Sequence, residues 1–186
     1  ITVSGWIKDL LGHGDIPLLN VVSWPWLGIK SVMVATVLVA TTWATWVLGW
    51  RVGLQVFSVL LIMGINEGFK EIIGRPRPGE PESIGDKSFP SGHVLYAVLL
   101  SGVAWFFVVS KVPKLNLRMS LLGMLIAWPM LTGLSRIYLE KHWPSDVLGS
   151  YILGTLVLIV MKWTIPALER TRRPFPKPST FKRKDS

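Results

Sequence analysis

Cysteine is absent from this 186-residue chain, and histidine occurs only three times. Without cysteine no disulfide framework can be read and no thiolate metal site exists. His13 is remote in sequence from His93 and His142, and no HExxH spacing occurs, so no metal-ligand set is expected. Polar helix faces are missing as well. Runs such as LVLIVMKW and SVLLIMGI carry no polar stripe at helical spacing, which argues against buried helices of a soluble bundle. A basic face is also lacking. The net charge is +9, yet seven of the twenty basic residues fall in the last seventeen positions, which describes a tail and no nucleic-acid surface. The start shows no basic stretch followed by a short apolar run and a small-residue cleavage site, so no signal peptide is read there.

Apolar residues are abundant. They make up half of the chain, the mean hydropathy is +0.45, and there are ten tryptophans. Uncharged runs recur at Ser31–Trp50, Val52–Asn66, Val94–Ser110, Met119–Ser135 and Val147–Met161. The first suffices to cross a bilayer, and the others do so once their flanks are included. The expected fold class is therefore all-α, a polytopic membrane helix bundle with five spanning helices. Residues 1–27, with GWIKDLLGH, turn residues at Gly14 and Pro17 and a tryptophan pair around Pro25, read as an interfacial segment. Residues 28–168 form the membrane domain. Residues 169–186 read as a basic, disordered cytoplasmic tail against anionic headgroups.

Five crossings put Arg51, the 111–118 connection and the tail on one side, which the positive-inside rule makes cytoplasmic. Nine of the eleven acidic residues then map to the opposite half or its edge, balancing the basic residues there.

Three polar clusters fall on that outer side. In KEIIGRPRP, Lys70 falls at the end of the second spanning helix, while Arg75 and Arg77 each precede a proline that stops the helix and stiffens the loop. Basic residues at a helix end also serve simply to satisfy carbonyls and the dipole. In FPSGH, Ser91 has the position of an N-cap, which alone accounts for it. The same geometry leaves backbone N–H groups free, and Gly92 allows an anion close approach. In SRIYLEKHWPSD, Pro144 occupies an early helix position and Asp146 the first turn, where a carboxylate favours the dipole. Histidine and aspartate four apart can also meet, so Asp146 could orient His142 and leave its other ring nitrogen free as nucleophile or base. Taken together, Lys70, Arg75, Arg77 and Arg136 supply cations matched to a phosphate.

These residues resemble the type-2 phosphatidic acid phosphatases, or lipid phosphate phosphatases, whose pattern is K-x6-RP, PSGH and SR-x5-H-x3-D. Lys70–Pro78, Pro90–His93 and Ser135–Asp146 fill every fixed position with every spacing kept, and the resemblance covers about residues 30–165. It implies a membrane phosphatase domain over 28–168, of the bacterial integral-membrane type, acting without metal or other cofactor on a lipid phosphate or diphosphate of the phosphatidic acid, phosphatidylglycerophosphate or undecaprenyl diphosphate class. It implies that Lys70, Arg77, Ser91, Gly92 and Arg136 bind the phosphoryl oxygens. His142 would attack phosphorus, oriented by Asp146, to form a phosphohistidine, and His93 would protonate the leaving group. Arg75 lies outside the family's fixed positions. The implied partners are the lipid substrate and membrane lipids, with no nucleic acid, and the implied location is the bacterial cytoplasmic membrane with the site facing outward.

Membrane members generally have six spanning helices, the first before the run at Ser31, where this chain offers only the short segment 1–27. The soluble relatives, vanadium haloperoxidases and acid phosphatases, share the site but are opposed by five apolar spans. A phosphotransferase would use the same residues. A non-catalytic lipid-phosphate binder needs cations but has no need of His142, His93 and Asp146 together. A channel or transporter would carry its ionisable groups inside the spans, whereas here they gather at helix ends.

Overall fold

A computed structural model describes residues 3–12, 17, 30–79 and 87–170, and every regular element among them is helical. The order is α1 (Val3–Leu11), α2 (Lys30–Leu48), α3 (Trp50–Ile73), α4 (Gly92–Phe107), a 3-10 turn (Val109–Lys111), α5 (Leu115–Tyr138) and α6 (Pro144–Arg170). The predicted turn at Gly14, the tryptophans flanking Pro25, most of the 79–87 connection and the tail beyond residue 170 lie outside the described residues.

Four helical stretches are long and apolar enough to cross a membrane: Trp50–Ile73, Gly92–Lys111, Leu115–Tyr138 and Pro144–Thr164. The first of the five expected spans falls on the 19-residue α2, which holds the shorter apolar stretch Val34–Leu48 among the described residues. The protein is an integral membrane protein.

Helix α4 is the central strut. It packs against α3, α5 and α6, and more than half of it is buried, against about a fifth of each other span. Leu95, Tyr96, Leu99 and Val103 of α4 meet Val56 and Val59 of α3, Val37 and Ala44 of α2, and Met161 of α6. Small residues allow the close approaches that membrane helices rely on. At Gly133 of α5 a Cβ would collide with Tyr151 and Val147 of α6. The Tyr151 hydroxyl in turn donates to the carbonyl of Pro129, inside α5, at 2.9 Å.

Local signals place the helix ends that carry the polar clusters. Helix α3 stops at Gly74, whose φ of 64° is left-handed and whose N–H returns to the Lys70 carbonyl at 2.9 Å. The prolines at 76 and 78 then prevent continuation. Helix α6 starts at Pro144, where a missing N–H costs nothing. Helix α1 docks on the end of α5 through Ile7 against Tyr138, and the Tyr138 hydroxyl donates to the Gly12 carbonyl at 2.8 Å.

Candidate active site

The three polar clusters meet at one end of the bundle, where the end of α3, the start of α4, the end of α5 and the start of α6 converge. The connection before α4 ties them together. Ser88 donates its backbone N–H to the Arg75 carbonyl at 2.8 Å, and its own carbonyl lies 2.7 Å from His142 Nδ1. One buried residue thus bridges the loop after α3 and the loop before α6.

His142 is almost fully buried. Its backbone N–H reaches back to the Arg136 carbonyl at 3.3 Å, so the chain folds over the end of α5 and carries the ring into the site. With Nδ1 facing the Ser88 carbonyl, that nitrogen is the one that holds the proton, and Nε2 is left with its lone pair. Burial lowers the pKa of the ring below the ordinary histidine value, and the charge of Arg77 acts in the same direction. Asp146 and the Ser88 carbonyl oppose this. The net shift is downward, which favours the neutral imidazole.

Asp146 is completely buried in the first turn of α6. Its Oδ2 lies 3.7 Å from His142 Nδ1, a charge contact longer than a hydrogen bond. The same oxygen accepts the Trp143 backbone N–H at 2.8 Å, and Oδ1 accepts Arg75 Nη1 at 2.7 Å. The sequence reading expects the carboxylate to orient the ring. Here the Ser88 carbonyl makes the short contact and the carboxylate stands behind it.

Arg75 is better integrated than its place outside the family pattern suggests. Besides Asp146, its Nη1 donates to Ser145 Oγ at 2.7 Å, and its guanidinium lies 5.5 Å from the Trp143 ring centroid. Trp143 Nε1 donates to the Pro76 carbonyl at 2.9 Å, closing the same link from the other side. Neither Trp143 nor Ser88 stood out in the sequence. A tryptophan next to the pattern histidine was the available signal for the first, whereas a backbone carbonyl carries none for the second.

The remaining cations surround this knot. Arg77 acts electrostatically on both His142 and Arg136. Arg136 is buried at the end of α5, with Nη2 3.4 Å from Ser135 Oγ and Nε without a hydrogen-bond partner among the described residues. Lys70 pairs with Glu67 at 2.8 Å, and its Nζ lies 3.8 Å from where a Cβ on Gly92 would stand. Ser91 is the N-cap of α4, but its hydroxyl makes no capping bond and has no partner among the described residues. His93 is half-buried in the first turn of α4. Cations, unused donors and a neutral imidazole at a helix N-terminus can receive a phosphate and attack it. Among the described residues no group of three or more histidine, cysteine or acidic side chains is placed to hold a metal ion.

Comparison with known proteins agrees in fold. The family model described as the PAP2 superfamily matches residues 51–170. Phosphatidylglycerophosphatase B of Bacillus subtilis is 32% identical over 122 residues, which cover 62% of this chain and 60% of that protein. An undecaprenyl-diphosphatase of Sulfolobus acidocaldarius is 31% identical over 111 residues, 55% of this chain and 49% of that one. The chain therefore spans about half to three-fifths of the length of these curated relatives. The crystal structure of a transmembrane PAP2-type phosphatidylglycerolphosphate phosphatase from Bacillus subtilis superposes with a TM-score of 0.65 at 25% identity, covering 93% of this chain and 87% of that chain.

Proposed function

The chain belongs to the PAP2 superfamily, and from that membership we propose that it is a metal-independent membrane phosphatase that removes phosphate from a lipid monophosphate or diphosphate. The observation that carries this reading is the buried His142, held by its Nδ1 against the Ser88 carbonyl. Its Nδ1 is occupied by the Ser88 carbonyl, its Nε2 is left as a nucleophile, and arginines stand on its flanks. A binding pocket for phosphate has no use for a histidine kept neutral beside cations, since a charged ring would hold the anion better.

On this reading Nε2 of His142 attacks phosphorus, and the bond to the leaving oxygen breaks as His93 supplies that oxygen with a proton. Water then attacks the phosphohistidine with His93 as base, which releases inorganic phosphate and restores Nε2. Lys70 turns from Glu67 to the phosphoryl oxygens alongside Arg77, Arg136, Ser91 and the Gly92 amide. Asp146, held by Arg75, balances the positive charge that develops on the imidazole. Such electrostatic preorganisation is the main source of rate in phosphoryl transfer. Fixed side-chain cations at the site take the part a metal ion would otherwise play.

The domain is residues 28–168, the site opens to the outer face of a bacterial cytoplasmic membrane by the positive-inside argument, and 169–186 is a cytoplasmic tail. The relatives' names, phosphatidylglycerophosphatase and undecaprenyl-diphosphatase, support a two-chain or polyprenyl substrate. The test is phosphate release by the detergent-purified protein from phosphatidic acid, phosphatidylglycerophosphate and undecaprenyl diphosphate, with and without EDTA. Release from at least one of them, undiminished by EDTA, is expected. Loss of activity in EDTA that added metal restores would overturn the metal-free mechanism.

A further inference from the structure

Asn66 is a polar residue in a membrane-spanning helix, only 2% exposed, and neither its Oδ1 nor its Nδ2 has a hydrogen-bond partner among the described residues. A buried amide left in this state is costly, and the cost is greater in a bilayer, where no bulk water is at hand. The position does not demand an amide for packing. Met63, one turn earlier on α3, presents its terminal methyl to the same place, 3.5 Å from where a Cβ on Gly92 would stand.

Direction tells what the amide is for. Asn66 Nδ2 is 3.3 Å from that Gly92 point and Lys70 Nζ is 3.8 Å from it, so amide and ammonium face the first turn of α4 together. Asn66 precedes Lys70 by four residues, which puts the two on one face of α3, one turn apart. Ser91, next to Gly92, is wholly buried with a hydroxyl that also lacks a partner among the described residues. The first N–H groups of α4 point to the same region, because the first bond within the helix runs from the Leu95 N–H to the Ser91 carbonyl at 3.0 Å. A group that satisfies them all must accept several hydrogen bonds and carry negative charge.

We propose that Asn66 is a further phosphoryl-binding residue, donating Nδ2–H to a non-bridging oxygen of the substrate phosphate between Lys70 and the first turn of α4. The inference rests on the phosphatase reading above. A neutral donor adds a hydrogen bond without adding another cation to a site already crowded with them.

The test uses the full chain in detergent, with orthovanadate as the probe for the phosphoryl site. It measures vanadate inhibition of lipid-phosphate hydrolysis and the vanadate-induced rise in Tm. Asn66→Ala is expected to weaken vanadate inhibition about tenfold or more and to lower kcat/KM by about 10- to 100-fold. Its Tm without vanadate should stay near that of the parent, because the amide makes no bond that holds helices together. Asn66→Asp, close in shape but anionic, should be worse than alanine, and Asn66→Ser, which keeps a small donor, should recover part of the binding. Vanadate inhibition and kcat/KM within twofold of the parent in Asn66→Ala would overturn the assignment. So would an Asn66→Asp protein that binds vanadate as well as the parent, since it would mean that the side chain accepts from Lys70. A lower Tm with the vanadate response intact would show a packing role and overturn it too. If the parent protein neither hydrolyses a lipid phosphate nor responds to vanadate, the phosphatase reading fails first, and this inference fails with it.

Discussion

At the site end of the bundle Ser88, Ser91 and Asp146 are completely buried, whereas along its flanks Trp46 and Trp163 stand more than three-quarters exposed. A soluble protein would show the reverse at both places. On the flanks, lipid solvates the apolar rings, so exposure there costs nothing and burial would gain little. At the site end, polar groups gathered against a membrane must find partners in the protein or in a ligand. Side chains on the flanks are therefore replaceable by other apolar groups. At the site end Ser88, His142, Asp146 and Arg75 are tied to one another, so a single change among them propagates.

The largest break in that contrast is expected at His142. His142→Ala removes the proposed nucleophile and should lower lipid-phosphate hydrolysis by about 1,000-fold or more, while an apolar swap such as Trp46→Leu should leave kcat within twofold. A 32P-labelled substrate checks the same point directly. Acid-labile label on the protein should appear in the parent and vanish in His142→Ala.

Next in size is Arg75→Ala, which strips Asp146 of its 2.7 Å partner and leaves a completely buried carboxylate with the Trp143 N–H and the nearby imidazole. A fall in kcat of about 10- to 100-fold is expected, with KM nearly unchanged, if Arg75 acts through Asp146, to which it donates, and not on the phosphate. A rise in KM of the same size with kcat intact would instead place Arg75 on the substrate. Arg75→Lys should recover only part of the rate, since an ammonium cannot hold Asp146 and Ser145 while lying against the Trp143 ring as a guanidinium does.

Arg75 also marks where sequence reading ran out. Lys70, Arg77, Ser91, Gly92, Arg136, His142 and Asp146 are candidates in the sequence because three polar clusters fall at helix ends and together fill the pattern of the resembled family. The helical spans were legible because a bilayer demands long apolar runs. The bond from Arg75 to Asp146 joins residues 71 apart and has no local signature. The Ser88 carbonyl that faces His142 was hidden because every residue has a carbonyl. Asn66 closes an otherwise apolar run, and its four-residue offset from Lys70 is its only signal in the sequence.

A smaller effect is expected in the pH profile. The proposed nucleophile must be neutral to attack, and burial with the Arg77 charge holds the His142 pKa below the ordinary histidine value. Activity should therefore persist as pH falls through about 6.5 and drop only below it, where the ring protonates. Removing the Arg77 charge removes one cause of the lowering, so in Arg77→Gln the acid limb of kcat should move to higher pH, apart from any loss in absolute rate. An acid limb that stays in place would mean that the limb reports another group.

The smallest effect is expected just outside the site, at Glu140, and its direction depends on the replacement. Glu140 pairs with Lys8 of α1 at 3.0 Å, and its backbone φ is 53°, in the left-handed region that disfavours any residue with a Cβ. The glutamate side is about half exposed, so solvent screens the pair and its worth falls toward the low end of about 0.2–1 kcal/mol. Glu140→Ala loses the pair and keeps the backbone cost, so Tm should fall by no more than about 3 °C, and by less in high salt. Glu140→Gly loses the same pair but relieves the backbone, and should be at least as stable as Glu140→Ala. Hydrolysis should stay within twofold in both, because Glu140 faces α1 and makes no bond to Arg136, His142 or Asp146 among the described residues. If Glu140→Ala instead cut activity tenfold with Tm unchanged, the docking of α1 on α5 would belong to the chemistry, and the boundary between the site end and its surroundings would have to move outward to include it.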